Sequence, residues 1–179
     1  MSNLQHDDRI LIQRSVDKFI QDQYAFDERH SRLGSIEQSE KYWQHFAELG
    51  WLALPLAEEV GGLGGGIEDV QVLMRAFGRG LIAEPYTEVV LMAGKVLEAA
   101  ANPAHEALLN DIASGAEEVI LAADFGASSC IARKMPDGYR LDGERAVVAQ
   151  AGWATRYLVD ALLDGEPSLF LVPRDTGGL

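Results

Sequence analysis

The sequence predicts an α+β fold in which an all-α N-terminal domain precedes a smaller, partial antiparallel β domain. Up to Gly115, apolar residues recur at the three- and four-residue spacing of amphipathic helices. From Glu118 onward, short β-rich runs alternate with turn signals. We therefore predict a helical domain over residues 1–116 and a β domain over residues 117–179, which is thin for an independent closed sheet.

Five helices are predicted in the helical domain. Ser39 is the expected N-cap of the second helix, and Gly115 has the usual position of a C-terminal glycine after the fifth. The fourth helix is apolar nearly all round, which predicts a central position. The approximate ranges are Asp7–Glu28, Ser39–Gly50, Val70–Leu81, Thr87–Ala101 and 104–115.

Six strands are predicted in the β domain, and Met135–Gly138 reads as a tight turn between two of them. The six runs are EEVILAAD, SCIARK, GYRLDG, RAVVAQ, RYLVDALL and SLFLVPRD.

Five glycines fall within the six positions 61–66 (GGLGGG), a density that suits either a phosphate cradle or a sharp turn. The dinucleotide fingerprint needs glycines at i, i+2 and i+5 after a strand, but Ile67 or Asp69 occupies the third position. The Gly94-Lys95 pair is followed by Val96, not by the serine or threonine of a phosphate loop. The glycine run is therefore interpreted as a tight connection between two helices.

Composition narrows the function classes. The net charge of −13 over 179 residues argues against nucleic acid or an anionic membrane surface as a partner. The single Cys130 and four scattered histidines predict neither an internal disulfide nor a metal site. The polar N-terminus and the lack of a long apolar run predict no signal peptide and no membrane span, so a cytoplasmic location is expected.

Chemistry alone predicts no active site in this sequence. There is no Gly-x-Ser-x-Gly elbow and no cysteine–histidine pair. The adjacent acids Asp7-Asp8 suit a helix N-terminus, and Glu58-Glu59 and Glu117-Glu118 suit solvated connections.

Several motifs of the sequence occur in the same order as the motifs of a known protein family. The run FAELGWLALPLAEEVGGLGGGIEDVQVLMRAFGRGL resembles the pattern lGw…lP.eyGGlG…d…v.ee.gr of the helical N-terminal domain of acyl-CoA dehydrogenases. AEPYTEVVLMAGKVLEAAA, GYRLDGERAVVAQAGWATRYLV and SLFLVPRDTGGL continue the match in the family's order. The resemblance covers essentially the whole sequence and implies a partial β-barrel domain of acyl-CoA dehydrogenase type.

The resemblance implies a flavoprotein of lipid metabolism that consists of a helical domain, a middle β domain and a C-terminal four-helix bundle. In that family FAD lies between the β domain and the bundle, and a glutamate takes the α-proton of an acyl-CoA while the β-hydride passes to the flavin. The resemblance also implies an electron-transfer flavoprotein as electron acceptor and a homo- or hetero-oligomer. No residue of this sequence corresponds to the glutamate base, so no catalytic residue is assigned.

Two stretches correspond to flavin-facing segments of the family, and both depart from its pattern. The family's TEPGAGS corresponds to positions 123–129, where alanine replaces the threonine, and its Trp-Ile-Thr corresponds to positions 147–149, where a second threonine is replaced. The resemblance implies that Ser129 also contacts substrate. The candidate cofactor-binding residues are Ala123, Gly126, Ala127, Ser128, Ser129, Val147, Val148 and Ala149.

Three functions are compatible with the sequence. The first is the N-terminal part of an FAD-dependent acyl-CoA dehydrogenase that forms a 2,3-enoyl-CoA. The second is a non-catalytic partner subunit of a heteromeric dehydrogenase, suggested by the loss of both hydroxyls at Ala123 and Ala149. The third is a flavin oxidase or monooxygenase on the same fold.

Overall fold

The computed structural model describes residues 4–28, 35–123 and 130–179 and confirms the α+β class, with helices first and a sheet after them. The helices are α1 (His6–Gln23), α2 (Ile36–Glu48), α3 (Ile67–Gly80), a π-helix (Thr87–Gly94), α4 (Lys95–Ala99) and α5 (Glu106–Ser114). The strands are β1 (Val119–Ala122), β2 (Ile131–Met135), β3 (Gly138–Asp142), β4 (Arg156–Leu163) and β5 (Glu166–Pro173).

The ends of three helices follow from local chemistry. Asp8 accepts a hydrogen bond from the Gln5 N–H at 2.8 Å and so caps α1, as the acidic start of that helix predicts. The predicted cap at Ser39 is wrong: Ser35 caps α2, its Oγ accepting from the Gln38 N–H at 3.4 Å, and Ser39 lies one turn inside the helix. Gly115 ends α5 in the left-handed conformation (φ +72°), as predicted.

The helical part is built around a cluster of aromatic rings. Phe19 of α1 lies with its ring centroid 5.3 Å from that of Phe46 and 5.6 Å from that of Trp51, both edge-on. Phe77 of α3 contacts Phe46 and also Tyr86, which precedes the π-helix. Each such pair contributes about 0.5–1.5 kcal/mol beyond the area it buries. The cluster therefore fixes α1, α2, α3 and the start of the π-helix against one another.

The glycine run at 61–66 is a tight connection, as predicted. The N–H groups of Gly62, Gly64 and Gly65 donate to carbonyl oxygens of residues 54–57 at 2.8–2.9 Å. Those donors are consequently used within the protein and do not form a phosphate cradle. Gly61 (φ +80°) and Gly64 (φ +64°) need the left-handed conformation for which glycine is favoured.

The sheet is mixed, not purely antiparallel. β4 is central: β5 pairs with it antiparallel along its full length, and β1 pairs with it in parallel on the other side. Farther along that same side, β2 pairs with β4 in parallel at Ile131 and Ala132, and β3 pairs antiparallel with β2. Parallel pairing is possible because β2, β3 and a long loop separate β1 from β4 in sequence, which gives the chain room for a crossover.

The predicted strand RAVVAQ (145–150) is wrong, because this segment is a loop between β3 and the short 3₁₀ turn Ala151–Trp153. Its apolar residues do not line a sheet face: Val148 packs on the main core, and Val147 is 86% exposed. Gln150 has a left-handed backbone conformation (φ +58°), which ends any extended run. The loop leaves the sheet and reaches the helical part.

One core joins the helical part to the sheet. Val119 and Ile120 of β1 are buried in the same apolar cluster as the helix residues, together with Ala154 and Leu158. The π-helix packs against β1. A smaller cluster of Cys130, Ala132 and Ala161 lies on the sheet alone.

Alanine substitutions in two glycines test the interpretation of the glycine run. A Cβ on Gly62 would lie 2.0 Å from the Leu56 carbonyl oxygen, a backbone atom that cannot move without breaking the turn. We expect Gly62→Ala to lower the free energy of unfolding by about 1–3 kcal/mol. Urea unfolding followed by circular dichroism measures this change.

Gly78→Ala is the matched control. Gly78 lies inside α3, and a Cβ there meets no atom within 4 Å. Removing a helical glycine raises stability by about 0.5–1 kcal/mol. Equal stabilities of the two variants would contradict the interpretation of the glycine run as a sterically fixed turn.

Candidate functional site

The structure describes four of the eight candidate cofactor residues. Ala123 directly follows β1, and Val147, Val148 and Ala149 lie in the loop after β3. Gly126, Ala127, Ser128 and Ser129, including the candidate substrate contact, lie outside the described residues. The candidate site can therefore be examined at the end of β1 and in the 147–149 loop.

The 147–149 loop is anchored both to the helical part and to the sheet. On the helical side, Val148 packs on the main core and Gln150 Nε2 donates to the Ala83 carbonyl at 3.4 Å. On the sheet side, the hydroxyl of Tyr157 in β4 donates to the Ala151 carbonyl at 3.0 Å. The loop therefore has a defined position between the sheet and the helical part.

The exposed tip of this loop fits the flavin that the resemblance implies. Among the described residues, the N–H groups of Val147, Val148 and Ala149 have no hydrogen-bond acceptor. Val147 beside them is 86% exposed, although valine is usually buried. A planar heterocycle with acceptor atoms at its edge satisfies both features, since it covers an apolar side chain and accepts hydrogen bonds from a backbone N–H. No hydroxyl is available at Ala123 or Ala149 to supplement those donors.

A buried carboxyl group supports the helical side of the site. Glu84 is only 7% exposed, and its Oε2 accepts from the Tyr24 hydroxyl at 3.0 Å and from the Ala83 N–H at 3.2 Å. Burial raises the pKa of Glu84, against the lowering effect of these hydrogen bonds. The same Ala83 residue accepts from Gln150, so Glu84 and Tyr24 hold the peptide to which the loop is attached.

A second polar cluster lies where α2 meets the start of β1. Trp43 of α2 lies 6.0 Å, centroid to centroid, from Trp153. Arg156 Nε and Nη2 each donate to the Glu117 carboxylate at 3.1 Å, which lowers the pKa of Glu117. The pKa of Glu118 is raised to about 7, first by burial and then by the charges of Glu117 and Glu40. The pKa values of the neighbouring carboxyl groups of Glu117 and Glu118 are thus shifted in opposite directions.

Other site classes find no support in the described part of the chain. No group of three or more histidine, cysteine, aspartate or glutamate residues there could hold a metal ion. No helix there is long and apolar enough to cross a membrane. A surface cleft of about 380 Å³ on α1 and α3, lined by His6, Arg9 and Arg14 among others, contains none of the candidate residues.

Three further residues lie close to the candidate site, and no sequence pattern indicated them: Glu84, Gln150 and Arg145. Their partners are distant in sequence: Glu84 meets Tyr24, Gln150 meets Ala83 and Arg145 meets Asp160. The signal that could have indicated Arg145 is its place two residues before the Val147–Ala149 tripeptide.

Comparison with known proteins gives a consistent result. The profile described as "Acyl-CoA dehydrogenase, N-terminal domain" matches residues 6–116. The curated protein Acyl-CoA dehydrogenase FadE27 of Mycobacterium tuberculosis (strain ATCC 25618 / H37Rv) is 27% identical over 157 residues, which is 85% of this chain and 42% of that protein.

Two solved structures share the fold. The Tcur3481-Tcur3483 steroid ACAD G363A variant matches with a TM-score of 0.83 and 27% identity, over 96% of this chain and 49% of that one. The ChsE4-ChsE5 complex from Mycobacterium tuberculosis matches with a TM-score of 0.84 and 24% identity, over 99% of this chain and 50% of that one. The chain therefore spans about half the length of the proteins it matches.

The carboxylate pair at the start of β1 gives a pH test. Glu118 has a folded pKa of about 7 and an ordinary value of 4.5, so the folded state loses stability as the pH rises through this window. We expect Glu118→Gln to raise the free energy of unfolding at about pH 8, on the order of 1 kcal/mol because part of the group is solvated, and to have little effect at about pH 4.

Glu117→Gln is the control, for which we expect the opposite change in the free energy of unfolding. The folded pKa of Glu117 is lowered, so its contribution to stability is present above its ordinary pKa and is lost as the pH falls through the folded value. This variant should destabilise the protein at about pH 8 and converge with the wild type in acid. A Glu118→Gln variant that is less stable than wild type at about pH 8 would show that the pKa of Glu118 is not raised in the folded protein.

Proposed function

The chain belongs to the acyl-CoA dehydrogenase family, and from that premise we propose that it is the N-terminal part of an FAD-dependent enzyme that oxidises an acyl-CoA thioester to the 2,3-enoyl-CoA. The observation that carries the proposal is the 147–149 loop: its three N–H groups have no acceptor among the described residues, Val147 is exposed, and the resemblance aligns these positions with a flavin-facing segment. FAD, when bound, would supply the acceptor for the hydride that leaves the substrate.

The chain's own residues have three tasks in this proposal. The N–H groups of Val147, Val148 and Ala149 would offer hydrogen bonds to the flavin, and the Val147 side chain would help to exclude water from it. Val148 and Gln150 fix the loop against the helical part, so that the donors are preorganised. Of the candidates outside the described residues, Ser129 is the proposed contact with the acyl-CoA, and Gly126, Ala127 and Ser128 are proposed cofactor contacts.

A second function is a non-catalytic partner subunit. The specific observation is that both positions where the family has a flavin-facing threonine, 123 and 149, are alanine here. The ChsE4-ChsE5 structure, described as a complex, supports heteromeric assembly among proteins of this fold. Under this proposal the chain keeps the fold and the assembly surfaces, and another subunit supplies the flavin contacts.

The remaining assignments are proposals of the same kind. They are an electron-transfer flavoprotein as electron acceptor, a homo- or hetero-oligomer, and a cytoplasmic location. A steroid-type acyl-CoA is a reasonable first substrate, because one of the matching structures is that of a steroid ACAD.

Flavin bleaching tests the dehydrogenase proposal. The protein is purified from its complete gene, loaded with FAD and titrated without oxygen with straight-chain and steroid-type acyl-CoA thioesters. We expect loss of the visible flavin absorbance with at least one thioester and formation of the enoyl product. Purified protein that holds no FAD would contradict the proposal, and oxygen consumption without an acyl-CoA would favour an oxidase.

Ala149→Thr separates the two main functions. If Ala149 faces a bound flavin, a restored hydroxyl adds one hydrogen bond and should strengthen FAD binding by about 2–10-fold. The partner-subunit function predicts no measurable change in FAD affinity. Ala146→Thr is the matched control, because Ala146 is exposed in the same loop. Ala154→Thr would not serve, because Ala154 is fully buried.

A further inference from the structure

Arg145 has a buried side chain, and its positive charge has no role among the flavin contacts proposed above. Only 7% of its side chain is exposed, and it lies two residues before Val147. Burying a guanidinium costs several kcal/mol unless hydrogen bonds replace its water. A residue with this cost in a loop requires a specific set of partners.

Besides the neighbouring Glu144 carbonyl, the partners of Arg145 include groups on two different strands. Its Nε donates to the carbonyl of Ala122, the last residue of β1, at 3.3 Å. Its Nη2 donates to the Asp160 carbonyl in β4 at 2.5 Å and also forms an ion pair with the Asp160 carboxylate. The planar fork of an arginine can hold such partners at the same time, whereas lysine offers a single nitrogen.

These contacts connect the two flavin-facing stretches. Ala122 immediately precedes Ala123, where the first stretch begins, and Arg145 itself leads into the second stretch at Val147. We propose that Arg145 is a positioning residue: by holding the Ala122 carbonyl and Asp160, it fixes the end of β1 and the Val147–Ala149 donors at the separation that the flavin needs. The inference rests on the proposed flavin function.

The sheet contains a contrasting ion pair. Arg133 of β2 pairs with Asp142 of β3, but the Arg133 side chain is 60% exposed, and neither residue belongs to a candidate stretch. Exposed pairs of this kind contribute little to stability. Arg133→Met therefore removes the same type of charge from the same sheet and serves as the matched control for Arg145→Met.

The test is FAD titration of the protein purified from its complete gene, followed by quenching of free-flavin fluorescence. Circular dichroism first shows that each variant is folded at the temperature used. We expect Arg145→Met to weaken FAD binding by about 10–100-fold and Arg145→Lys to have a smaller effect. We also expect the visible spectrum of the bound flavin to change in both variants, a readout that loss of stability alone would not alter. Arg133→Met should match the wild type.

The outcomes separate this inference from the proposed function. Wild-type protein that binds no FAD overturns both. Wild type that binds FAD, with Arg145→Met and Arg145→Lys indistinguishable from Arg133→Met, overturns only the role of Arg145. If Arg145→Met does not fold, Arg145→Lys and Asp160→Asn decide the question, because each retains one part of the contact set, and unchanged affinity and spectrum in both would refute the inference.

Discussion

The structure depends on the burial of β1 against the helical part. Val119 and Ile120 are almost completely excluded from solvent and share a core with the aromatic cluster of the helices. Fully burying side chains of this size contributes about 1.5–3 kcal/mol each. β1 in turn pairs with β4, the strand to which β2 and β5 are also attached. Leu158 of β4 lies in the same core, so β1 and β4 together fix the sheet against the helices.

The candidate site follows from the same contact. Because β1 is fixed on the π-helix, its end at Ala122 has a defined place, and the 147–149 loop is held close to the helical part by Val148 and Gln150. The order of the motifs in the sequence predicted Ala123 and the Val147–Ala149 tripeptide as candidate flavin contacts, and this stays a prediction. It could not reveal Arg145 or Glu84, because their bonds join residues far apart in sequence and no local pattern specifies them.

The sequence predicted elements well where one apolar stripe decides the structure, as in α1, α2, α3 and α5. It was less accurate between Thr87 and Ala101, where an apolar surface all round is equally compatible with π-helical and α-helical hydrogen bonding. Residues 145–150 have the composition of a strand, but the buried guanidinium of Arg145 and the left-handed Gln150 give a loop instead. Parallel pairing of β1 with β4 was not predicted, since strand composition does not determine strand direction.

Amide hydrogen exchange of the protein from its complete gene, with and without FAD, tests whether the end of β1 and the 147–149 loop form one side of a flavin site. We expect FAD to slow exchange at Val147, Val148 and Ala149, whose N–H groups have no acceptor in the described chain, and to leave the Arg133–Asp142 hairpin unchanged. Bound FAD with unchanged exchange throughout this loop would contradict this expectation.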